Sequence, residues 1–164
     1  MQFMVRVAHS SDEESLWQML YYAARMSEDG AQSYHAAKTH PDLYEYVADW
    51  GQATDIGVVA VAAAQVVGAA WARPVQDENI VDVPPAHHEI AIAVHPDFHG
   101  QGIGATLMAG LNAVADARQI DLALTVREGN SAIRLYQRAG FVVTEEIINR
   151  VGGKSFVMQR KRMP

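Results

Sequence analysis

Three glycines at alternate positions, Gly100, Gly102 and Gly104, stand between two apolar runs of different period. Glu89-Ile-Ala-Ile-Ala-Val94 before them reads as a strand, and Thr106 to Arg118 after them reads as a helix. Glycines at such a turn let the backbone approach a ligand closely and bend sharply into the helix. The first turn of a helix carries N–H groups without intrahelical partners and the positive end of a dipole, so it favours an anion such as phosphate. Gly100, Gln101, Gly102, Ile103, Gly104 and Ala105 are therefore candidates to hold a phosphorylated cofactor.

Other chemistries compete for these residues. Gly100-x-Gly102-x-x-Ala105 fits a dinucleotide fingerprint loosely, but His95 to His99 separate it from its strand, and the acid at the next strand comes at its start, Asp121. A P-loop is absent, since no Lys-Ser/Thr follows the glycines. The glycines alone are also compatible with a tight strand-to-helix turn and no ligand. His87, His88, His95 and His99 near Glu89 invite a metal. No HExxH pattern exists and a proline turn separates His95 from His99, so no metal is expected. Trp17, Trp50 and Trp71 sit at apolar spacings and read as core, and Arg160-Lys-Arg162 reads as a solvated tail.

Composition narrows the class. The 164 residues make one domain, 1–164, able to bury about 70% of its unfolded surface. Cysteine is absent, which excludes disulfides, thiolate metal sites and a cysteine nucleophile. Met1 to Ser10 has no apolar core with a cleavage pattern, and no run approaches a membrane span; a cytoplasmic protein with no membrane partner is expected. A net charge of −6 argues against a nucleic-acid partner. Residues 1–82 carry 4 Lys/Arg against 12 Asp/Glu, whereas residues 83–164 carry 9 against 7, so the glycine loop lies in the half with the basic excess.

The elements that must position the loop follow from periodicity. Val5 to Val7 reads as a strand, and Ser10 and Ser11 with Glu13 and Glu14 form overlapping capping boxes for a helix to about Met26. Ser27 to His40 reads as loop. Pro41, the stripe Leu43, Val47 and Trp50, and Gly51 predict a second helix. Ile56 to Ala63 and Val66 to Val75 form a hairpin around an alanine-rich turn, Gln76 to His87 is loop, and Asp121 to Val126 is a strand. Ser131 to Ala139 is a short helix ended by Gly140, and Phe141 to Ile148 with Ser155 to Gln159 closes the chain as a hairpin across Val151-Gly-Gly. Many strands with only two crossover helices imply an α+β protein with a mixed sheet.

Two blocks carry a resemblance. Val94-His-Pro-Asp-Phe-His-Gly-Gln-Gly-Ile-Gly resembles the acetyl-CoA loop of the GNAT superfamily of N-acetyltransferases, Val-x-Pro-x-Tyr/Phe-Arg/Gln-x-x-Gly-x-Gly/Ala. Asn130-Ser-Ala-Ile-Arg-Leu-Tyr136-Gln-Arg-Ala-Gly-Phe141 is similar to that family's Asn…Ala-x-x-Leu-Tyr-x-x-x-Gly-Phe segment. His99 stands where the family has Arg or Gln, and Asn130 is one residue closer to the tyrosine than the family's asparagine, whose place Gly129 takes.

The resemblance implies a mixed, mostly antiparallel sheet of about seven strands with about four helices. It implies acetyl-CoA as co-substrate, with the loop from His99 to Ala105 on the pyrophosphate and Asn130 at the cofactor. The N–H groups of Ile92, Ala93 and Val94 would meet the pantetheine and polarise the thioester, which requires their strand to splay from Asp121 to Val126. Glu89 falls where the family often has a general base, and Tyr136 where it has the acid that protonates the thiolate. The expected reaction is direct transfer to a primary amine. The acceptor is a small molecule or a peptide, cationic because Glu28, Asp29, Asp42, Glu45 and Asp49 oppose only Lys38 between Met26 and Trp50. A homodimer is compatible with the family. A catalytically degenerate module that senses or assembles around acyl-CoA is the alternative, and a nicotinamide oxidoreductase is a third reading.

Overall fold

The structure, a computed structural model, describes residues 2–24, 33–41, 43–74, 87–149 and 152–164. Its elements are β1 (Met4–Val7), α1 (Glu13–Ala23), α2 (His35–Thr39), β2 (Ile56–Ala62), β3 (Gln65–Arg73), β4 (His87–Val94), α3 (Ile103–Ala117), β5 (Asp121–Arg127), α4 (Ile133–Arg138), β6 (Val142–Ile148) and β7 (Lys154–Arg160). The strands form one seven-stranded sheet in the order β1-β2-β3-β4-β5-β7-β6. Every pairing is antiparallel except β4 with β5. The mixed α+β sheet with four helices is thus the expected architecture.

Both faces of the central strands are covered, which is why β2 and β3 are apolar almost without interruption. Val58, Ala60, Ala70, Ala72 and Ile90 turn to one face and meet Ile103, Leu107, Met108 and Leu111 of α3. Val59, Ala69, Trp71 and Ala93 turn to the other and meet Leu16, Trp17, Met19 and Leu20 of α1. The three tryptophans belong to this second core, with Trp71 wholly buried. Gly57 makes room for it: a Cβ there would stand 2.9 Å from the Trp71 Cβ and 3.2 Å from the Trp50 ring. The β2–β3 hairpin turns on Ala63 and Ala64, whose φ values of 49° and 63° lie in the left-handed region that a two-residue turn of this kind demands. Among the described residues no helix is long and apolar enough to cross a membrane.

Three local expectations fail for one reason: long-range partners take the groups that local rules would use. The serine capping boxes do not form. The chain enters α1 through a 3-10 turn, Ser10–Asp12, in which Asp12 accepts from the His9 N–H at 2.6 Å and from Arg6 at 2.8 and 2.9 Å. Hydrogen bonding from Arg6 is the main influence holding the Asp12 carboxyl below the ordinary range. Glu13 and Glu14 reach instead to the Trp50 N–H and to Tyr34 and Lys38. The second helix does not run from Pro41 to Gly51; a short α2 forms inside the stretch read as loop, and Tyr44–Tyr46 makes only a 3-10 turn. Arg160 is not part of a solvated tail: it ends β7, buried, in a two-pronged pair with Asp116 at 2.9 and 3.0 Å. The expected loop Gln76 to His87 lies outside the described residues except at His87, which opens β4, and Val151 of the closing turn lies outside them too.

Candidate active site

The site begins where two strands part. β4 runs parallel to β5 for three residue pairs only, His87↔Asp121, His88↔Leu122 and Glu89↔Ala123. On its other edge β4 stays paired with β3 up to Val94. Alternate residues of Ile90 to Val94 therefore turn N–H and C=O toward the gap, where β5 no longer answers them. Ile92 lines this gap, Ala93 packs on the α1 face, and Val94 closes the strand.

Beyond Val94, a 3-10 turn at Pro96–Phe98 leads to the glycines. Gly100 and Gly102 have φ of 80° and 79°, and a Cβ on either would meet nothing within 4 Å. Their need for glycine is thus conformational, and the space before them is open. Gly102 caps α3, and the first helical bond is from Thr106 N to the Gly102 carbonyl, at 3.2 Å. The helix supplies no carbonyl to the N–H groups of Ile103, Gly104 and Ala105, which can meet an anion. The Ile103 side chain is buried in the core, so only its backbone serves. Gly104 lies 3.5 Å, measured from an added Cβ, from Leu135 of α4, which brings the two helices together. Gln101 and Ala105 are exposed.

His99 does not act as a free donor. Its Nε2 lies 2.9 Å from the Val94 carbonyl, and since a carbonyl only accepts, the neutral ring's one N–H is committed there. Asn130 is likewise engaged: its Oδ1 accepts from the Ala132 N–H at 2.8 Å and shapes the entry to α4. Its NH₂ group is what remains for a ligand.

Glu89 and Tyr136 come together. A cavity of about 170 Å³ is lined by both, with Leu20, Ala23, Leu43, Tyr46, Ile92 and Leu124 among its walls. Glu89 is buried, and its Oε1 accepts from the Tyr46 hydroxyl at 2.6 Å. Tyr136 sits on α4 with its ring tilted against Phe141 at 6.1 Å between centroids. Burial pushes its phenol up to about 12, so it is a proton carrier at neutral pH. The cavity thus pairs a carboxyl group with a protonated phenol.

Sequence reasoning missed the residues on the other side of Glu89. Arg73 is buried at the end of β3 with Asp55, at 2.9 and 3.0 Å, and its Nη1 donates to the carbonyls of Glu45 at 3.0 Å and Ala48 at 2.7 Å. Trp71 Nε1 donates to the Tyr46 carbonyl at 2.9 Å. These three hydrogen bonds take carbonyls that a continuing helix would have used, which is why the segment stops at a 3-10 turn and why Tyr46 points at Glu89. No local signal announced this; the partners are strands away. A larger cavity of about 620 Å³ adjoins the same segment, with Tyr44, Glu45, Asp49 and Arg73 in its wall.

The remaining histidines are spent separately. His88 Nε2 donates to the Thr54 carbonyl at 2.8 Å, and burial pushes the pKa of this ring below its ordinary value. His95 Nδ1 accepts from the Asp97 N–H at 3.1 Å. Among the described residues no three His, Asp or Glu gather as a metal site. Of the acids expected around the acceptor, Glu28, Asp29 and Asp42 lie outside the described residues.

No curated protein sequence matches the chain. Among solved structures, the ribosomal-protein alanine N-acetyltransferase from Escherichia coli is 18% identical, covering 99% of this chain and 96% of its own, with a TM-score of 0.69. A putative acetyltransferase from Salmonella typhimurium with its cofactor acetyl-CoA is 20% identical over 98% of this chain and 94% of its own, with a TM-score of 0.68. An aminoglycoside acetyltransferase in complex with coenzyme A and kanamycin is 17% identical over 98% and 95%, with a TM-score of 0.64. These likenesses establish the fold. The model of the acetyltransferase (GNAT) family matches residues 17–141, from α1 through the glycine loop to Phe141, and the chain belongs to that family.

Proposed function

We propose that the protein transfers the acetyl group of acetyl-CoA directly to the primary amine of a cationic acceptor, with Glu89 as base and Tyr136 as acid. The observation that carries this reading is the meeting of Glu89 and Tyr136 in one cavity at the parting of β4 and β5. Open space before Gly100 and Gly102, with the free N–H groups that follow, suits a pyrophosphate. The backbone of Ile92 and Val94 suits the pantetheine and the thioester carbonyl, whereas Ala93 between them turns its N–H and C=O to β3; Asn130 would donate to the cofactor through its NH₂ group, and His99 would hold the loop rather than the phosphate. A solved neighbour with acetyl-CoA supports the choice of cofactor.

The chemistry then balances. A free alkyl amine has a pKa near ~10, so its nitrogen needs a base before its lone pair can attack the thioester carbon. One ammonium proton leaves to water through Glu89 before attack; the neutral nitrogen then forms the C–N bond, N–H groups of β4 stabilise the oxyanion, and Glu89 takes the second proton from the zwitterionic adduct as it collapses. The C–S bond breaks, and Tyr136 supplies hydrogen to the departing sulfur. A phenol at about 12 gives up its proton reluctantly to a thiolate, so its hydrogen bond does most of the work until transfer is complete. Water can return the proton from Glu89 to Tyr136. The products are amide and CoA.

Glu45 and Asp49 in the wall of the larger cavity favour a cationic acceptor, a small polyamine-like or aminoglycoside-like molecule or a basic peptide. CoA release measured across a panel of amines tests this: turnover of cationic amines is expected, and turnover of only neutral or acidic ones overturns it. Acetyl-CoA binding without thioester cleavage for any amine would favour the non-catalytic module instead.

A further inference from the structure

We propose that Tyr46 is the positioning residue for Glu89, and that the buried side chains of Trp71 and Arg73 hold it in place; this rests on the reading of Glu89 as the base. A base must present one oxygen to the amine while the other is held, and a carboxylate on a strand has rotatable torsions that would otherwise spread it over several orientations. At 2.6 Å, the bond from the Tyr46 hydroxyl to Oε1 is at the short end of the O–H···O range. It comes from the segment facing the acceptor side, not from the strand that carries Glu89.

Tyr46 has little freedom to leave. Its carbonyl is held by Trp71 Nε1, and those of Glu45 and Ala48, on either side, by Arg73. Trp71 is wholly buried, and Arg73 is fixed by Asp55 and by the Trp50 ring 5.6 Å below its guanidinium. Val47, between them in sequence, is wholly buried too. A 3-10 turn, ordinarily a pliable piece of chain, is here pinned at three carbonyls to a central strand. The register adds the last link: Arg73 is paired directly with Glu89 across β3 and β4, so clamp and base share one rung of the sheet.

A double-mutant cycle tests the proposal, with kcat and the KM for acetyl-CoA measured for Tyr46→Phe, Glu89→Gln and both together. Tyr46→Phe keeps the ring and the backbone and should lower kcat about 10- to 100-fold, the worth of a hydrogen bond to a charged group, with the KM for acetyl-CoA unchanged. The double variant should be no slower than Glu89→Gln, because a residue that acts through the carboxylate has nothing left to position. Losses that multiply, an unchanged kcat in Tyr46→Phe, or a rise confined to the acceptor KM would each overturn it. So would loss of acetyl-CoA binding by Tyr46→Phe, which would assign the tyrosine to the framework. Failure of the underlying reading looks different: Glu89→Gln would itself keep the wild-type kcat.

Discussion

The two sides of the site are built by different means. On the proposed cofactor side, backbone does the work: two glycines with positive φ, the first turn of α3, and a strand edge that β5 leaves after Glu89. On the proposed acceptor side, side chains do it: Arg73, Trp71, Asp55 and Tyr46 hold an irregular segment against the sheet. A backbone site is written in neighbouring residues and keeps its shape for one ligand chemistry. A side-chain site depends on partners brought from several elements and can be rebuilt residue by residue. The division suits an enzyme whose cofactor is constant and whose acceptor varies among relatives.

Damage to each side should read out differently. The largest effect is expected from Arg73→Met, which strips Asp55 of its buried ionic partner; stability should fall by about 3–5 kcal/mol. For a chain of this size that is a loss of about 10 °C in Tm, measured by calorimetry. Gly102→Ala comes next. With no neighbour to strike, the new Cβ costs about 1 kcal/mol of left-handed strain. It also intrudes on the phosphate space, so the KM for acetyl-CoA should rise while kcat changes little. A rise in kcat-limited defects without a KM effect would erase the distinction between the two sides.

A smaller effect is expected from pH. Because burial lowers the folded-state pKa of His88, the native protein resists its protonation while the unfolded chain accepts a proton below about 6.5. Stability contributed by the neutral ring is present above that pH and is lost as pH falls from there toward the folded value. The slope is at most about 1.4 kcal/mol per pH unit. Asp12 and Asp116, lowered chiefly by hydrogen bonds from Arg6 and Arg160, lose their contributions only below about 4. In mild acid His88→Gln, which keeps a donor for Thr54, should therefore flatten the stability curve measured by urea unfolding. The smallest change serves as a control far from both sides. Replacing Ala63-Ala64 by Asn-Gly relieves two left-handed alanines and should add about 1 kcal/mol without altering kcat or KM.

The same contrast explains what the sequence disclosed. β4, the glycines, α3, β5 and α4 were legible because strand alternation, helical period and glycine chemistry are local, and the matched family model spans them. Glu89 and Tyr136 stood out only through the resemblance, and the fold brings them to one cavity. The Pro41 to Gly51 segment has an apolar stripe of helical spacing and yet forms no helix, because Arg73 and Trp71 compete for its carbonyls. His99 shows a subtler limit. Its type promised a donor, but the Val94 carbonyl, five residues back, had already taken it.

The short seam between β4 and β5 has a mechanical consequence. The sheet behaves as two plates, β1 to β4 and β5 to β6, joined edge to edge over three residue pairs and diverging beyond them. Any opening or closing of such a wedge is a rotation about its vertex, so displacement grows with distance from the seam. Glu89 occupies the last pair of that seam and therefore travels least, while Ile92 to Val94, at the open end, travel most. On the proposed roles, the group that needs the steadiest aim is mounted at the pivot, and the backbone that would admit a long ligand is mounted where the wedge is widest.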